Sequence, residues 1–161
     1  MNSEFTIAVH SLVLLAHLSD HMATSEQIAC NVSTHSARIR KVMGFLRKGG
    51  YVRTKEGIGG GFILDCDPDK VTLAEIYRLT SQGSLKPNWC SGDISKPCVV
   101  ASNMEKVMDS FFGDAERQME AYFEQHTISS VLRRISELGE SFDHIRVDQW
   151  IMNTPAIPAK E

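Results

Sequence analysis

Apolar residues recur at helical spacing from the start of the chain. Phe5, Val9, Leu12, Val13 and Ala16 share one face of a segment, residues 5–18, that holds no glycine or proline. Asp20-His21-Met22 breaks the period. Thr24 then stands three positions before Gln27, the spacing at which a threonine hydroxyl and a glutamine amide cap a helix reciprocally. The helix so opened is short, about Ser25 to Cys30, with Ile28 and Ala29 as its apolar residues. Asn31-Val32-Ser33 reads as a tight turn, and Ser33 or Thr34 is placed to cap a third helix running to about Lys48. Ile39, Val42, Met43 and Leu46 form one face of that helix, while Arg38, Arg40, Lys41, Arg47 and Lys48 fall largely on the others. Gly49-Gly50 ends it, as residues free to take positive φ do.

The period then changes. Tyr51–Thr54 reads as a strand and Phe62–Asp65 as its return, joined through the glycine-rich Lys55-Glu-Gly-Ile-Gly-Gly-Gly. Thr72 and Glu75 repeat the capping-box spacing and open a helix through about Thr80. Residues 84–96, with Trp89 and Cys90, read as a loop. From about Pro97 to His126 the pattern is helical again, with Val100, Met104, Val107, Met108, Phe111, Ala115, Met119 and Tyr122 at steps of mostly three or four. Some 30 residues at about 1.5 Å each span roughly 45 Å, too long to bury that stripe against one small domain's own core. Gly113 in its middle suggests a bend or a close crossing. Thr127 is placed to cap a last helix through about Leu138. The tail from 141, with two prolines after Asn153, has no period and is expected to be loosely ordered, Trp150 and Ile151 docking at an undefined place.

Composition narrows the class. The chain has 161 residues, 42% hydrophobic and 23% charged, with a formal net charge of −3. That excludes wholesale disorder and a uniformly basic coat. The longest apolar run, Leu12–Leu18, includes His17 and is far short of the roughly 18 residues a membrane span needs. Met1-Asn2-Ser3-Glu4 puts no basic residue before an apolar stretch, so the start does not read as a secretory signal and a cytoplasmic location is expected. Four unevenly spaced cysteines do not make a disulfide scaffold.

The small net charge hides a segregation. Between Gln27 and Lys55 stand Arg38, Arg40, Lys41, Arg47, Lys48, Arg53 and Lys55, seven cations with no Asp or Glu among them. Such a run is the electrostatic footprint of a polyanion site. Helix, short helix, tight turn, basic amphipathic helix and a hairpin with a glycine-rich tip together make a winged helix-turn-helix. Thr34, His35 and Ser36 then begin the helix that enters a major groove, and Arg38, Arg40 and Lys41 lie within reach of phosphates or guanine edges. Arg53 and Lys55 lead into a wing whose glycines let main chain approach a phosphate. The glycine run is not a P-loop, since no Gly-Lys-Ser/Thr follows it and no helix opens after it.

The run from Ser33 to Val52, with Gly57-Ile-Gly-Gly-Gly-Phe-Ile-Leu and Val71-Thr-Leu-Ala-Glu-Ile, resembles the IscR/NsrR/CymR family of bacterial transcriptional regulators. The likeness covers about residues 3–135 and rests on the ordered set of motifs. It implies a mainly α fold with a small β-hairpin wing, a homodimer joined by the long helix, and binding to a pseudo-palindromic operator, usually as a repressor. Carried over by position, Thr34, His35, Ser36, Arg38 and Arg40 belong to the recognition helix, and Lys55, Gly59 and Gly60 to the wing. The implied organisation is a DNA-binding unit over residues 1–83, a cysteine-containing loop over 84–96, a helical dimerisation region over 97–140 and a tail over 141–161.

The chain departs from the cluster-binding members of that family. They supply three cysteines ahead of the dimerisation helix, where this chain has only Cys90 and Cys98, and Ile7 stands where a carboxylate ligand is sought. Neither an iron–sulfur cluster nor a zinc ion is expected, so no cofactor and no metal residues are assigned. Cys98, behind Pro97 at a helix start, is the thiol expected to be most reactive. Oxidation joining it to Cys90, or to Cys30 of a partner subunit, would shift the recognition helices against the operator. The rival controls are a small effector held between the helix after the wing and the long helix, near Trp89, or an iron–sulfur cluster that a histidine or Asp93 would complete. A winged-helix module that binds protein instead of DNA is a further alternative, which the acid-free basic stretch disfavours. The six histidines show no ligand spacing and no nucleophile–base set stands out, so an enzyme is not expected.

Overall fold

The computed structural model describes residues 3–139. The tail from 141, including Trp150 and Ile151, lies outside the described residues. The element order is α1 (Ser3–His17), β1 (Met22–Ala23), α2 (Ser25–Val32), α3 (Ser36–Lys48), β2 (Val52–Lys55), β3 (Gly61–Leu64), α4 (Leu73–Ser81), α5 (Val99–Phe123) and α6 (Ile128–Gly139).

The first helix is the centre of the core. Phe5, Ile7, Ala8, Leu12, Val13, Leu14 and Leu15 are all buried, which is more of the circumference than one stripe. The reason is that α2, α3, α4 and α6 all pack around α1. Even Ser11 is enclosed, its hydroxyl donating to the Ile7 carbonyl at 2.7 Å. From α3, Ile39, Val42, Met43 and Leu46 complete the core, as their spacing predicts.

Both capping boxes form. Gln27 N–H donates to Thr24 Oγ1 at 3.2 Å and Thr24 N–H to Gln27 Oε1 at 2.8 Å. Thr72 and Glu75 exchange the same pair of bonds at 3.3 and 2.7 Å. Losing such a cap costs about 1 kcal/mol, so each fixes where its helix enters the domain. Helix α2 runs past Cys30 to Val32, and Ser33 ends it in the left-handed conformation (φ 59°). Ser33 therefore does not cap α3, and neither does Thr34. The N-cap of α3 is His35, whose side chain makes no capping bond.

The wing is more than a hairpin. β2 pairs with β3 through Val52↔Leu64 to Lys55↔Gly61, and β1 adds a third antiparallel strand on the other edge of β3, Ala23 opposite Phe62. The strands lie so close there that a Cβ on Gly61 would come 2.6 Å from the Ala23 carbonyl oxygen. The wing is thus tied at its base to the segment between α1 and α2.

The long helix has two unlike halves. Near its C-terminus, Phe123 joins Phe5 and Tyr77 in an aromatic cluster with ring centroids 5.2–5.9 Å apart. The following corner is sewn to the entry of α4 by Leu73 N–H to His126 O, 2.8 Å, and Ile128 N–H to Val71 O, 3.0 Å. Thr127 caps α6 as its place in the sequence predicts, accepting from Ser130 N–H at 3.2 Å. Toward its N-terminus α5 leaves Val99, Val100, Val107 and Phe111 exposed, and none of its 25 residues is fully buried. The helix starts one residue after Cys98, so Pro97 precedes the cap and is not in the first turn. At Gly113 no other element crosses closely among the described residues: α5 runs through it, and a Cβ there would meet only the Arg117 side chain at 3.6 Å.

Candidate nucleic-acid interface

Helix α3 presents its uncovered side to solvent because its four buried residues fasten the other side to α1 and α2. His35, Ala37, Arg38, Arg40, Lys41, Arg47 and Lys48 are exposed, and Ser36 is half-buried. Thr34 is half-buried in the turn before α3, its N–H donating to Ala29 O at 2.9 Å. Gly44, about the middle of α3, has open space beside it: an added Cβ meets no atom within 4 Å.

The cationic run is free of acids in sequence but not in space. Lys41 pairs with Glu4 of α1 and lies 5.9 Å from the Phe45 ring centre. Arg38 donates to the Ser3 hydroxyl. Arg40 donates through Nη1 to Ser25 Oγ and Glu26 Oε1 at the start of α2, both at 3.2 Å. Arg53 reaches Asp65, just past β3, at 3.5 Å. Pairs this exposed contribute about 0–1 kcal/mol each, so they hold side chains in place more than they hold the fold together. Arg47, Lys48 and Lys55 carry no ion pair among the described residues. Sequence reasoning missed Glu4, Glu26 and Asp65 because each is distant along the chain from its cation or on another element.

At the wing tip, Gly57 and Gly59 take positive φ (91° and 75°), and Ile58 between them is fully exposed. Gly60 is required by the protein itself: a Cβ would lie 2.2 Å from the Lys55 carbonyl oxygen and 2.9 Å from that of Gly57. Lys55 and Glu56 flank the tip, so one acid stands beside the wing's cations.

The four thiols are free and differ in setting. Cys30, inside α2, and Cys90 are half-buried, and Cys98 is exposed as the N-cap of α5. The backbone N–H groups of Ala101 and Val100 point at Cys98 and lower its pKa below the usual 9.0. Cys66 is pushed the other way, to about 11, by burial and by the neighbouring carboxylates of Asp65, Asp67 and Glu75. The loop before Cys98 is laid on α5 by Asp93 N–H to Ala101 O, 2.8 Å. Gly92 (φ 118°) permits that approach, since a Cβ there would come 2.8 Å from the same oxygen.

A groove of about 200 Å³ runs between this loop and α5, lined by Asp93, Ile94, Ala101, Ser102, Glu105, Lys106 and Asp109. It is smaller than the roughly 300 Å³ at which ligand pockets begin, and Trp89 is exposed and does not line it.

A family model named Rrf2, described as an iron-dependent transcriptional regulator, matches residues 1–134. A candidate HTH-type transcriptional regulator of Bacillus subtilis, YwnA, is 25% identical over 136 residues, covering 84% of this chain and 98% of that protein. The crystal structure of a candidate transcriptional regulator from Lactobacillus plantarum superimposes with a TM-score of 0.75 at 26% identity, covering 86% of this chain and 93% of that one. CymR, the global cysteine regulator of B. subtilis, shares the fold at a TM-score of 0.59 and 14% identity, over 83% of this chain and 96% of its own. Iron in the family description raises the question of ligands. Among the described residues no three His, Cys, Asp or Glu side chains converge as a metal site. Cys90 and Cys98 supply two thiolates, where a cluster usually takes four ligands. Nor is any described helix long and apolar enough to cross a membrane.

Proposed function

This chain belongs to the Rrf2 family of transcriptional regulators, and from that premise we propose that it acts in the cytoplasm as a homodimeric, operator-specific repressor whose DNA affinity is set by oxidation of Cys98. It is a regulator and not an enzyme, like the relatives it matches. The observation that carries the reading is the pairing of an outward basic helix with a 25-residue helix that leaves Val99, Val100, Val107 and Phe111 exposed. Two copies joined along Val107 and Phe111 of α5 would cover the exposed stripe. They would also hold two α3 helices at the fixed separation that half-sites one duplex turn apart demand. Repression follows from the resemblance noted above.

The thiol reading rests on Cys98, exposed and acidified by two helix N–H groups. Its thiolate attacks a peroxide, taking one oxygen as a sulfenic acid while the other leaves as hydroxide. The Cys90 thiol, or Cys30 of the second copy, then forms the disulfide, and the sulfenic oxygen departs as water. No resident cluster or metal enters this scheme.

Three measurements on the full chain test it. Sedimentation should give a dimer that Phe111→Glu converts to monomer. Operator affinity should fall steeply with salt, as contact with several phosphates requires. Peroxide should produce a disulfide on a non-reducing gel and weaken operator binding, and Cys98→Ser should abolish both effects. A monomeric wild type, or an oxidised protein with unchanged affinity and no disulfide, refutes the corresponding part.

A further inference from the structure

The geometry assigns Arg40 to a guanine edge in the major groove, with Glu26 and Ser25 as the residues that position it. The assignment rests on the DNA-binding reading above and deepens it, because it separates one base-reading side chain from cations that serve phosphates.

Both bonds made by Arg40 leave from Nη1, to Ser25 Oγ and to Glu26 Oε1. A guanidinium has five N–H donors, two of them on Nη1. The Nε–Nη2 edge, with the other three, makes no hydrogen bond among the described residues. That edge is a planar fork of the shape that meets guanine O6 and N7 together. The same fork also fits a phosphate, so shape does not choose between them. Glu26 does. A carboxylate held against the guanidinium repels a fully charged phosphate more than it repels base acceptors, which bear only partial charge. The acid is well anchored: it stands in the first turn of α2, beside the Thr24 cap. Partial burial raises the pKa of its carboxyl, but its own backbone N–H, the Ser25 hydroxyl and Arg40 outweigh that and keep it below the ordinary value.

The other cations lack this arrangement. Arg53 reaches its carboxylate through Nε, which occupies the fork itself. Arg38 meets a neutral hydroxyl, and Lys41 has no fork.

The test uses the full chain and an operator selected by the wild type from a random duplex pool. Each guanine of that operator is replaced in turn by 7-deazaguanine, which removes N7. Affinities are read by fluorescence anisotropy for wild type, Arg40→Ala, Arg40→Lys, Glu26→Gln and Ser25→Ala. One guanine per half-site should cost the wild type about tenfold on replacement, the scale of a bidentate pair. The same replacement should cost Arg40→Ala and Arg40→Lys nothing. Glu26→Gln and Ser25→Ala should each lose most of that penalty with unchanged melting temperature. The assignment fails if every guanine costs wild type and Arg40→Ala alike. It fails too if Arg40→Ala weakens all duplexes equally and lowers the salt slope by about one, the mark of a phosphate contact. A Glu26→Gln variant that gains equally on operator and scrambled duplex would make Glu26 a mere competitor for the cation. A wild type that selects no sequence refutes the DNA-binding reading itself, which separates that failure from this one.

Discussion

Tyr77, buried at the heart of the winged-helix unit, donates its hydroxyl to Glu116 of α5 at 2.7 Å. The same carboxylate accepts the Gly83 N–H, and one turn further along Glu120 accepts from Arg78 at 2.8 Å. Helices α4 and α5 are therefore joined by charged acceptors on α5 and donors from α4 and from Gly83, two residues past its end. A hydrogen bond to a charged group contributes about 1.5–3 kcal/mol. Because Glu116 keeps its second donor, Tyr77→Phe should cost about 1.5 kcal/mol. Urea unfolding should show a lower midpoint at unchanged slope.

Gly44 has no packing reason to be glycine within the chain, and a glycine inside a helix costs about 1 kcal/mol relative to alanine. Gly44→Ala should therefore raise the melting temperature, by about 3 °C for a chain of this size. If the outer side of α3 closes on a duplex, the same variant should bind operator less tightly. Thermal melting and anisotropy on one preparation check both.

Gly59 and Gly60 are adjacent but demanding for different reasons. Gly60→Ala sets a methyl against backbone oxygens on both sides and should reopen the hairpin, at about 1–3 kcal/mol. Gly59→Ala has room but must hold φ near +75°, at a cost of about 1 kcal/mol. Hydrogen exchange should show lost amide protection at Lys55 and Gly61 in the first variant and little loss in the second. The helical circular dichroism should stay intact in both.

Thiol chemistry should follow the two opposed settings. A thiol becomes nucleophilic as pH rises through its pKa. Cys98, held below 9.0 by the Ala101 and Val100 amides, should be alkylated first as pH is raised from 6. Cys66, at about 11, should react last. Iodoacetamide labelling with peptide mass spectrometry at pH 8 gives the order directly.

The parts legible in the sequence were those written in short-range spacing. Thr24 with Gln27, Thr72 with Glu75, and the apolar positions of α3 each specify their element within a few residues, and each forms as read. What lay outside that range was set by tertiary contact. β1 is two residues long and exists only because β3 passes beside it. Ser33 looked like a cap for α3 yet takes the left-handed turn that ends α2. At the candidate site the cations were legible and their surroundings were not, since Glu4 comes from α1, Glu26 from α2 and Asp65 from beyond β3.

Those three borrowed carboxylates bear on how such a protein would find its target. Long-range attraction to a chromosome scales with uncompensated charge, and folding cancels part of it close to α3. A regulator shielded in this way would be stranded less often on irrelevant stretches. It would spend more of its search free in solution, and its residence would depend on the few sites where base edges draw the arginines out of their pairs.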